Sequence, residues 1–120
     1  MSTISFDYDG TLSRKGVQEF AGEMIDAGHK VIIVTNRVST GSNADIQAVA
    51  KSLGIPKNNI NFCEGLGKVR FMHPFLKIDV HLDDDWIECD SIYDTHGIET
   101  VKMFGNPEWK EEVLLKLKSK

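Results

Sequence analysis

Apolar residues recur along this chain in two rhythms, and the alternation between them lays out its elements. Ile4 to Phe6 is a short apolar stretch running into Asp7-Tyr8-Asp9-Gly10, the pattern of a strand followed by a turn. Val17, Phe20, Ala21, Met24 and Ile25 then follow at helical spacing, with Gly28 where that helix would end. Val31-Ile32-Ile33-Val34 is a continuous β-branched run, as expected of a parallel strand buried on both faces, and it stops at Thr35-Asn36-Arg37. The polar stretch from Val38 to Asn43 predicts a loop. Ile46, Val49, Ala50 and Leu53 mark one face of a second helix, with Ser42 or Asn43 as its cap and Gly54 just past its end.

Ile60 to Phe62 predicts a short third strand, and Gly65 to Phe75 a short helix broken near Pro74. Ile78-Asp79-Val80-His81-Leu82 alternates and then meets Asp83-Asp84-Asp85, which predicts a strand with carboxylates at its carboxyl end. Residues 86–95 are expected to be helical and Thr100 to Phe104 to form a last strand. Asn106-Pro107-Glu108 reads as a helix start: a cap residue, proline at the first position, an acid in the first turn. Strands alternating with helices predict an α/β fold, a doubly wound Rossmann-like parallel sheet of about five strands. With 120 residues and no repeats or linkers, one domain spanning 1–120 is expected.

Composition narrows the partners. A net charge of −4 supplies no global attraction to nucleic acid or an anionic membrane, although Arg14, Lys15 and Arg37 could form a local basic patch. No apolar run approaches the roughly 18 residues needed to span a bilayer. The first residues lack the basic start and apolar core of a signal peptide, so a cytoplasmic location is expected. Cys63 and Cys89 are isolated and lack metal-ligand spacing, as expected of reduced, partly buried thiols.

In a sheet of this kind ligands bind outside the carboxyl ends of the strands. Reactive groups fall at those ends repeatedly: Asp7 and Asp9, then Thr35 and Asn36, then Asp83 and Asp84. Carboxylates converging on one crevice repel each other and lose hydration, so they call for a cation, and oxygen-only donors favour Mg²⁺. Magnesium in turn suits a phosphorylated substrate. A carboxylate can attack phosphorus to give an aspartyl-phosphate. A second carboxyl two residues on can protonate the leaving oxygen and then deprotonate the attacking water. The Thr35 hydroxyl and a lysine ammonium could hold the phosphoryl oxygens, while Gly10 lets the chain turn back after Asp9.

These segments resemble the motifs of the haloacid dehalogenase (HAD) superfamily. Asp7-Tyr8-Asp9-Gly10-Thr11-Leu12 is similar to its first motif, Val31 to Asn36 to its second, and Val80-His81-Leu82-Asp83-Asp84 to its fourth, in the family's order. The resemblance implies a small phosphatase with Asp7 as nucleophile and Asp9 as general acid/base. It also implies Mg²⁺ held by the Asp7 carboxylate, the Asp9 carbonyl and Asp83, with Asp84 beside them. Thr35, Asn36, Gly10 and a lysine would serve the phosphate. The third-motif lysine is matched by position at both Lys68 and Lys77. Lys77, at the start of the fourth strand, would lie well away from the carboxyl end, because an extended chain rises about 3.3 Å per residue; Lys68 is the better placed.

Other residues have plainer readings. Asp85 is expected to be a solvated acid at a helix start, Asn36 either to position phosphate or to shape its loop, and Arg37 to face solvent or to touch substrate. Trp86 suits packing or a surface position, or stacking on a ring. His29, His73, His81 and His96 are scattered and read as structural or surface residues.

Cap domains are common in this superfamily, and the interval from Leu12 to Val17 has no room for one. The interval from Asn36 to Lys68 just accommodates a loop, a helix and a strand. An open, capless site implies a bulky or macromolecular phosphate, such as a nucleic-acid end or a phosphoprotein, with nucleic acid a partner only as substrate. The clipped spacing before Asp83 resembles that of the phosphatase half of polynucleotide end-healing enzymes, which remove terminal phosphates from nucleic acid. The competing expectations are a nucleotide or sugar-phosphate phosphatase capped by a neighbouring subunit in a homo-oligomer, and a catalytically silent binding module. A receiver-like phosphoacceptor is a further alternative, but its acidic, Thr and Lys positions come in a different order.

Overall fold

In the computed structural model, which describes residues 1–72 and 76–120, the two rhythms become five strands and five helices. The strands are β1 (Thr3–Phe6), β2 (Lys30–Thr35), β3 (Ile60–Phe62), β4 (Val80–Asp83) and β5 (Glu99–Lys102). The helices are α1 (Lys15–Asp26), α2 (Ala44–Leu53), α3 (Lys68–Phe71), α4 (Trp86–His96) and α5 (Trp109–Lys118). Every pairing is parallel and the strand order is β3-β2-β1-β4-β5. This is a doubly wound, Rossmann-like sheet. The order reverses at β1, since β2 and β3 extend from one side of it and β4 and β5 from the other. The carboxyl ends of β1 and β4 therefore flank the switch point, where such sheets form a crevice.

The two faces of the sheet differ in character. Ile4 and Phe6 of β1 join Val31, Ile33, Val80 and Leu82 in one large apolar cluster, covered by α1 through Phe20 and Met24, by α2 through Ile46 and by α5 through Val113. The opposite face, covered by α3 and α4, carries a smaller cluster built on Ile32, Val34, Cys63, Met72, Ile78 and Ile92. Side chains alternate along a strand, so Ser5 and His81, between the apolar positions of β1 and β4, belong to this second face. Both are buried. The face beneath α3 and α4 is thus partly polar. Cys63 and Cys89 are free and buried, and burial pushes their thiols up to about 11 and about 12. Among the described residues no helix is long and apolar enough to cross a membrane, and no further domain is inserted between the elements.

Several boundaries differ from the expected ones for identifiable reasons. Strand β4 begins at Val80 rather than Ile78, because Lys77 adopts a left-handed φ of 49° and Asp79 binds the start of β1 with its side chain. The Asp79 carboxylate accepts the Thr3 N–H at 2.8 Å. Strand β5 ends at Lys102, and α5 starts at Trp109 rather than at Pro107. Asn106 there closes a turn instead of capping the helix: its amide donates to the Lys102 carbonyl and to Glu112, and its Oδ1 accepts the Glu108 N–H. Asn43 precedes α2 as expected but does not cap it, since its amide donates back to the carbonyls of Val38, Ser39 and Gly41. The predicted helix from Gly65 is limited to Lys68–Phe71 within the described residues; Pro74 and His73 lie outside them.

Phe20 couples two helices to the larger cluster, meeting Trp109 edge to face with ring centroids 5.1 Å apart. Replacing it by alanine removes a buried ring and leaves a cavity between α1 and α5. The expected loss is about 3–5 kcal/mol of unfolding free energy, read from urea denaturation followed by circular dichroism.

Candidate active site

The site is assembled from the loops that leave the sheet at its switch point. Asp7 directly follows β1, and its N–H donates to the Leu82 carbonyl of β4 at 2.9 Å, so the two carboxyl ends are tied directly. The chain then makes one wide turn, Tyr8–Leu12, closed by i→i+5 bonds from Leu12 N–H to the Asp7 carbonyl and from Ser13 N–H to the Tyr8 carbonyl. Gly10 in this turn has a φ of 78°, where a side chain is strained. A Cβ at that position would also collide with Asp84 Oδ2. The Gly10 N–H already donates to Ser13 Oγ, so what Gly10 contributes here is space for a carboxylate rather than a free donor for phosphate.

Lys68 lies at the centre of the carboxylates. It opens α3 directly after Gly67, is 3% exposed, and places Nζ 3.1 Å from Asp7 Oδ1 and 2.9 Å from Asp83 Oδ2. Its backbone N–H donates to Glu88 Oε1 at 2.7 Å, which fixes the start of α3 against α4. Asp7 Oδ2 accepts a long bond from Thr11 Oγ1 at 3.3 Å. Asp83 is fully buried; Oδ2 is shared by Lys68 and His81, and Oδ1 accepts the Asp85 N–H at 3.1 Å. Asp84 is half-buried beside Gly10. Lys77, the other lysine considered from the sequence, is exposed ahead of β4, at the amino end of that strand.

The electrostatics follow from too many carboxylates around too few cations. Burial, reinforced by the charge of Asp83, pushes the Asp7 carboxyl up to about 8 although Lys68 opposes the shift. Burial would also raise Asp83, but the hydrogen bond and charge of His81, aided by Lys68, outweigh it and hold Asp83 below the ordinary carboxylate range. For Lys68 the desolvation that favours the neutral amine is overcome by Asp83 and Asp7, so the ammonium is held above the usual lysine value.

Asp7, Asp83 and Asp84 each present an oxygen within 4.8 Å of the others. The nearby imidazole of His81 has both ring nitrogens engaged, by Ser5 and by Asp83. Oxygen is therefore the donor type these residues have to give, and the chemistry of that set fits a hard divalent cation such as Mg²⁺.

Asp9 sits apart from this buried group. Its side chain is 61% exposed and bound at both oxygens by Arg37, at 2.6 Å and 3.0 Å. Arg37 simultaneously holds Asp45 of α2 at 2.7 Å and 2.8 Å and lies 5.1 Å over the Tyr8 ring. Its hydrogen bond to Asp45 is the main reason that carboxyl is lowered. Thr35 is buried at the end of β2, with Oγ1 accepting the Arg37 N–H at 3.3 Å. Asn36 is exposed; its carbonyl accepts the Gly65 N–H and its amide donates to Glu88, so its contacts shape the loop. Asp85 caps α4 by accepting from the Ile87 and Glu88 N–H groups. Trp86 is half-exposed, its indole N–H donating to the Phe104 carbonyl and Lys102 lying 5.0 Å from its ring.

Some contributors were not singled out from the sequence. Glu88 binds two loops through one oxygen, Thr11 touches Asp7, and Asp45 anchors Arg37. His81 is structural, as the scattered histidines were expected to be, but it has a distinctive partner: His29 and His96 bond to backbone, while His81 reaches the carboxylate of Asp83. An interior polar position flanked by apolar residues in a doubly covered sheet was the available signal for His81 and Ser5.

Neither a family model nor a curated protein matches the chain. Among solved structures it is similar to the hypothetical protein PH1952 from Pyrococcus horikoshii OT3, with 21% identity and a TM-score of 0.40. The similarity covers 85% of this chain, which spans 41% of the length of that one. A likeness of this degree carries no argument about the site.

The raised Asp7 carboxyl makes folding stability pH-dependent. Its folded value lies above the ordinary one of 3.8, so its contribution is fully present below about pH 4 and is lost as pH rises through about 8. In metal-free protein Asp7→Asn is therefore expected to match the parent in stability at pH 4. At pH 8 it should be more stable by on the order of 1 kcal/mol or more, measured by chemical denaturation at both pH values.

Proposed function

We propose that the chain is a Mg²⁺-dependent phosphomonoester hydrolase that works through an aspartyl-phosphate on Asp7. The observation that carries this reading is the buried contact of one lysine with two carboxylates, Lys68 Nζ to Asp7 and to Asp83, at the switch point of the sheet. A structural ion pair needs one acid per base. Here one ammonium meets two buried carboxylates, and a third, Asp84, offers an oxygen within 4.8 Å of both, an arrangement suited to a cation and a phosphate together. The motif resemblance to HAD-superfamily phosphatases assigns the same residues the same parts.

In the first step an Asp7 oxygen attacks phosphorus, the bond from phosphorus to the leaving oxygen breaks, and Asp9 supplies that oxygen with a proton. In the second step water attacks the phosphorus of the acyl phosphate, Asp9 takes the water's proton, and Asp7 is regenerated with release of inorganic phosphate. Lys68 keeps Asp7 oriented and offers its ammonium to the phosphoryl oxygens, with the Thr35 hydroxyl and the Asn36 loop beside them. Bound among Asp7, Asp83, Asp84 and the Asp9 carbonyl, Mg²⁺ would neutralise charge on the non-bridging oxygens. To deliver a proton Asp9 must turn away from Arg37, which leaves Asp45 as the remaining partner of the guanidinium. Arg37 thus parks Asp9 at the mouth of the site until substrate enters.

The substrate we favour is bulky. No inserted domain covers the site among the described residues. Exposed apolar side chains also follow the carboxyl ends of three strands: Leu66 after β3, Trp86 and Ile87 after β4, Phe104 after β5. A macromolecular phosphate could rest on that rim and close the site itself. Screening nucleotides, sugar phosphates, phosphopeptides and 5′- or 3′-phosphorylated oligonucleotides decides this; a preference for the small phosphates would turn the reading to a small-molecule phosphatase.

Para-nitrophenyl phosphate should be hydrolysed with Mg²⁺ and not with excess EDTA. Asp7→Asn and Lys68→Ala should abolish turnover, and Asp9→Asn should lower kcat by about 10²–10⁴. Stable phosphorylation of Asp7 without turnover would replace the phosphatase by a phosphoacceptor domain, and near-normal activity of Lys68→Ala would remove that residue from the mechanism. Because protons compete with the cation for Asp7, added Mg²⁺ should raise the melting temperature more at pH 8 than at pH 6.

A further inference from the structure

A polar chain runs inward from the carboxylates into the sheet, and the phosphatase chemistry alone gives no reason for it. Ser5 of β1 and His81 of β4 are register partners on adjacent strands, and both are fully buried. Ser5 Oγ lies 2.7 Å from His81 Nδ1, and His81 Nε2 lies 2.9 Å from Asp83 Oδ2. The same Oδ2 is 2.9 Å from Lys68 Nζ, which is 3.1 Å from Asp7. Four contacts therefore connect the interior of the sheet to the residue read as nucleophile.

We propose that Ser5 and His81 are positioning residues for the Asp83–Lys68–Asp7 group, an inference that rests on the phosphatase reading above. An ionised carboxylate only accepts hydrogen bonds, so His81 Nε2 carries the hydrogen whatever the charge of the ring. Ser5 binds the other ring nitrogen and thereby fixes both the ring plane and its hydrogen arrangement. Asp83 is then held at both oxygens, by His81 and Lys68 at Oδ2 and by the Asp85 N–H at Oδ1. A carboxylate so fixed cannot rotate, and it presents the Lys68 ammonium at one place relative to Asp7.

The location of the pair argues against a purely structural role. The neighbouring positions on β1 and β4 are Ile4, Phe6, Val80 and Leu82, and the cluster on the pair's own face is apolar. Burying a serine and a histidine there is less favourable than burying two aliphatic residues, unless the hydrogen bonds they make serve something else. What they serve is Asp83. Partners that orient ligating carboxylates and histidines typically change metal affinity or activity by about 10–100-fold when removed.

The test compares His81→Leu, His81→Gln and Ser5→Ala with the parent, each checked for folding by thermal melting. Two quantities are read: Mg²⁺ affinity by calorimetry, which needs no turnover, and kcat and KM for para-nitrophenyl phosphate. His81→Leu is expected to lower kcat and weaken Mg²⁺ binding by about 10–100-fold each, with KM little changed. His81→Gln, whose amide can donate to Asp83, should recover most of both losses, and Ser5→Ala should show a smaller loss in the same direction. Parent-like kcat and Mg²⁺ affinity in His81→Leu would overturn the proposal, as would equal losses in the leucine and glutamine variants. If the leucine variant does not fold, the glutamine and alanine variants decide, an unchanged Ser5→Ala with a crippled His81→Gln being the adverse result. Absence of both Mg²⁺ binding and turnover in the parent would overturn the phosphatase reading and this inference together, whereas a working parent with an unaffected His81→Leu overturns the inference alone.

Discussion

One buried ammonium organises this molecule. Lys68 belongs to a four-residue helix that could not hold its place by its own hydrogen bonds, yet its Nζ joins the end of β1 to the end of β4. Buried ion pairs are not efficient sources of stability, because desolvation consumes most of the attraction. Removing the ammonium, however, leaves buried carboxylates uncompensated and costs about 3–5 kcal/mol. The group is therefore best understood as specifying an arrangement. It obliges α3 to start where it does, with Glu88 of α4 taking the backbone N–H of the same residue. Two helices and two strands are located by a single side chain and its amide.

How far this was legible in the sequence depended on whether a feature is local. The strands were legible because β-branched runs such as Val31 to Val34 end in polar residues at the positions where the chain must leave the sheet. Asp7, Thr35 and Asp83 fell at carboxyl ends for the same reason, and the sheet order brings the ends of β1 and β4 together. Strand and helix starts were less legible, because side chains there stand in for backbone. Asp79 supplies to Thr3 the acceptor that a strand carbonyl would otherwise give, and Asn106 spends its amide on a turn. Glu88 was invisible for a different reason: its partners Asn36 and Lys68 are distant in sequence.

His81 shows what alternation can and cannot reveal. Val80-His81-Leu82 alternates, and alternation alone does not say whether its polar residue meets water or a partner. In a sheet covered on both sides it meets a partner, since His81 points beneath α3 and α4 and must be satisfied there. Periodicity reports which residues share a face; whether that face is wet follows only from the layers above it. The polar positions of a doubly wound sheet are thus the ones to ask about first.

On the phosphatase reading proposed above, the two ends of the site divide the chemistry between them by their exposure. Asp83 and Lys68 are buried and held by multiple partners, so they can be placed accurately but cannot move. Asp9 is exposed and held by Arg37, a partner that has Asp45 to fall back on. A nucleophile must meet phosphorus along one line, and fixed neighbours favour that. A general acid/base must reach a leaving oxygen and later a water, which are different places, and mobility favours that. Under that reading the buried lysine group and the surface arginine pair are complementary: the first limits where Asp7 can be, and the second lets Asp9 go where the proposed chemistry needs it.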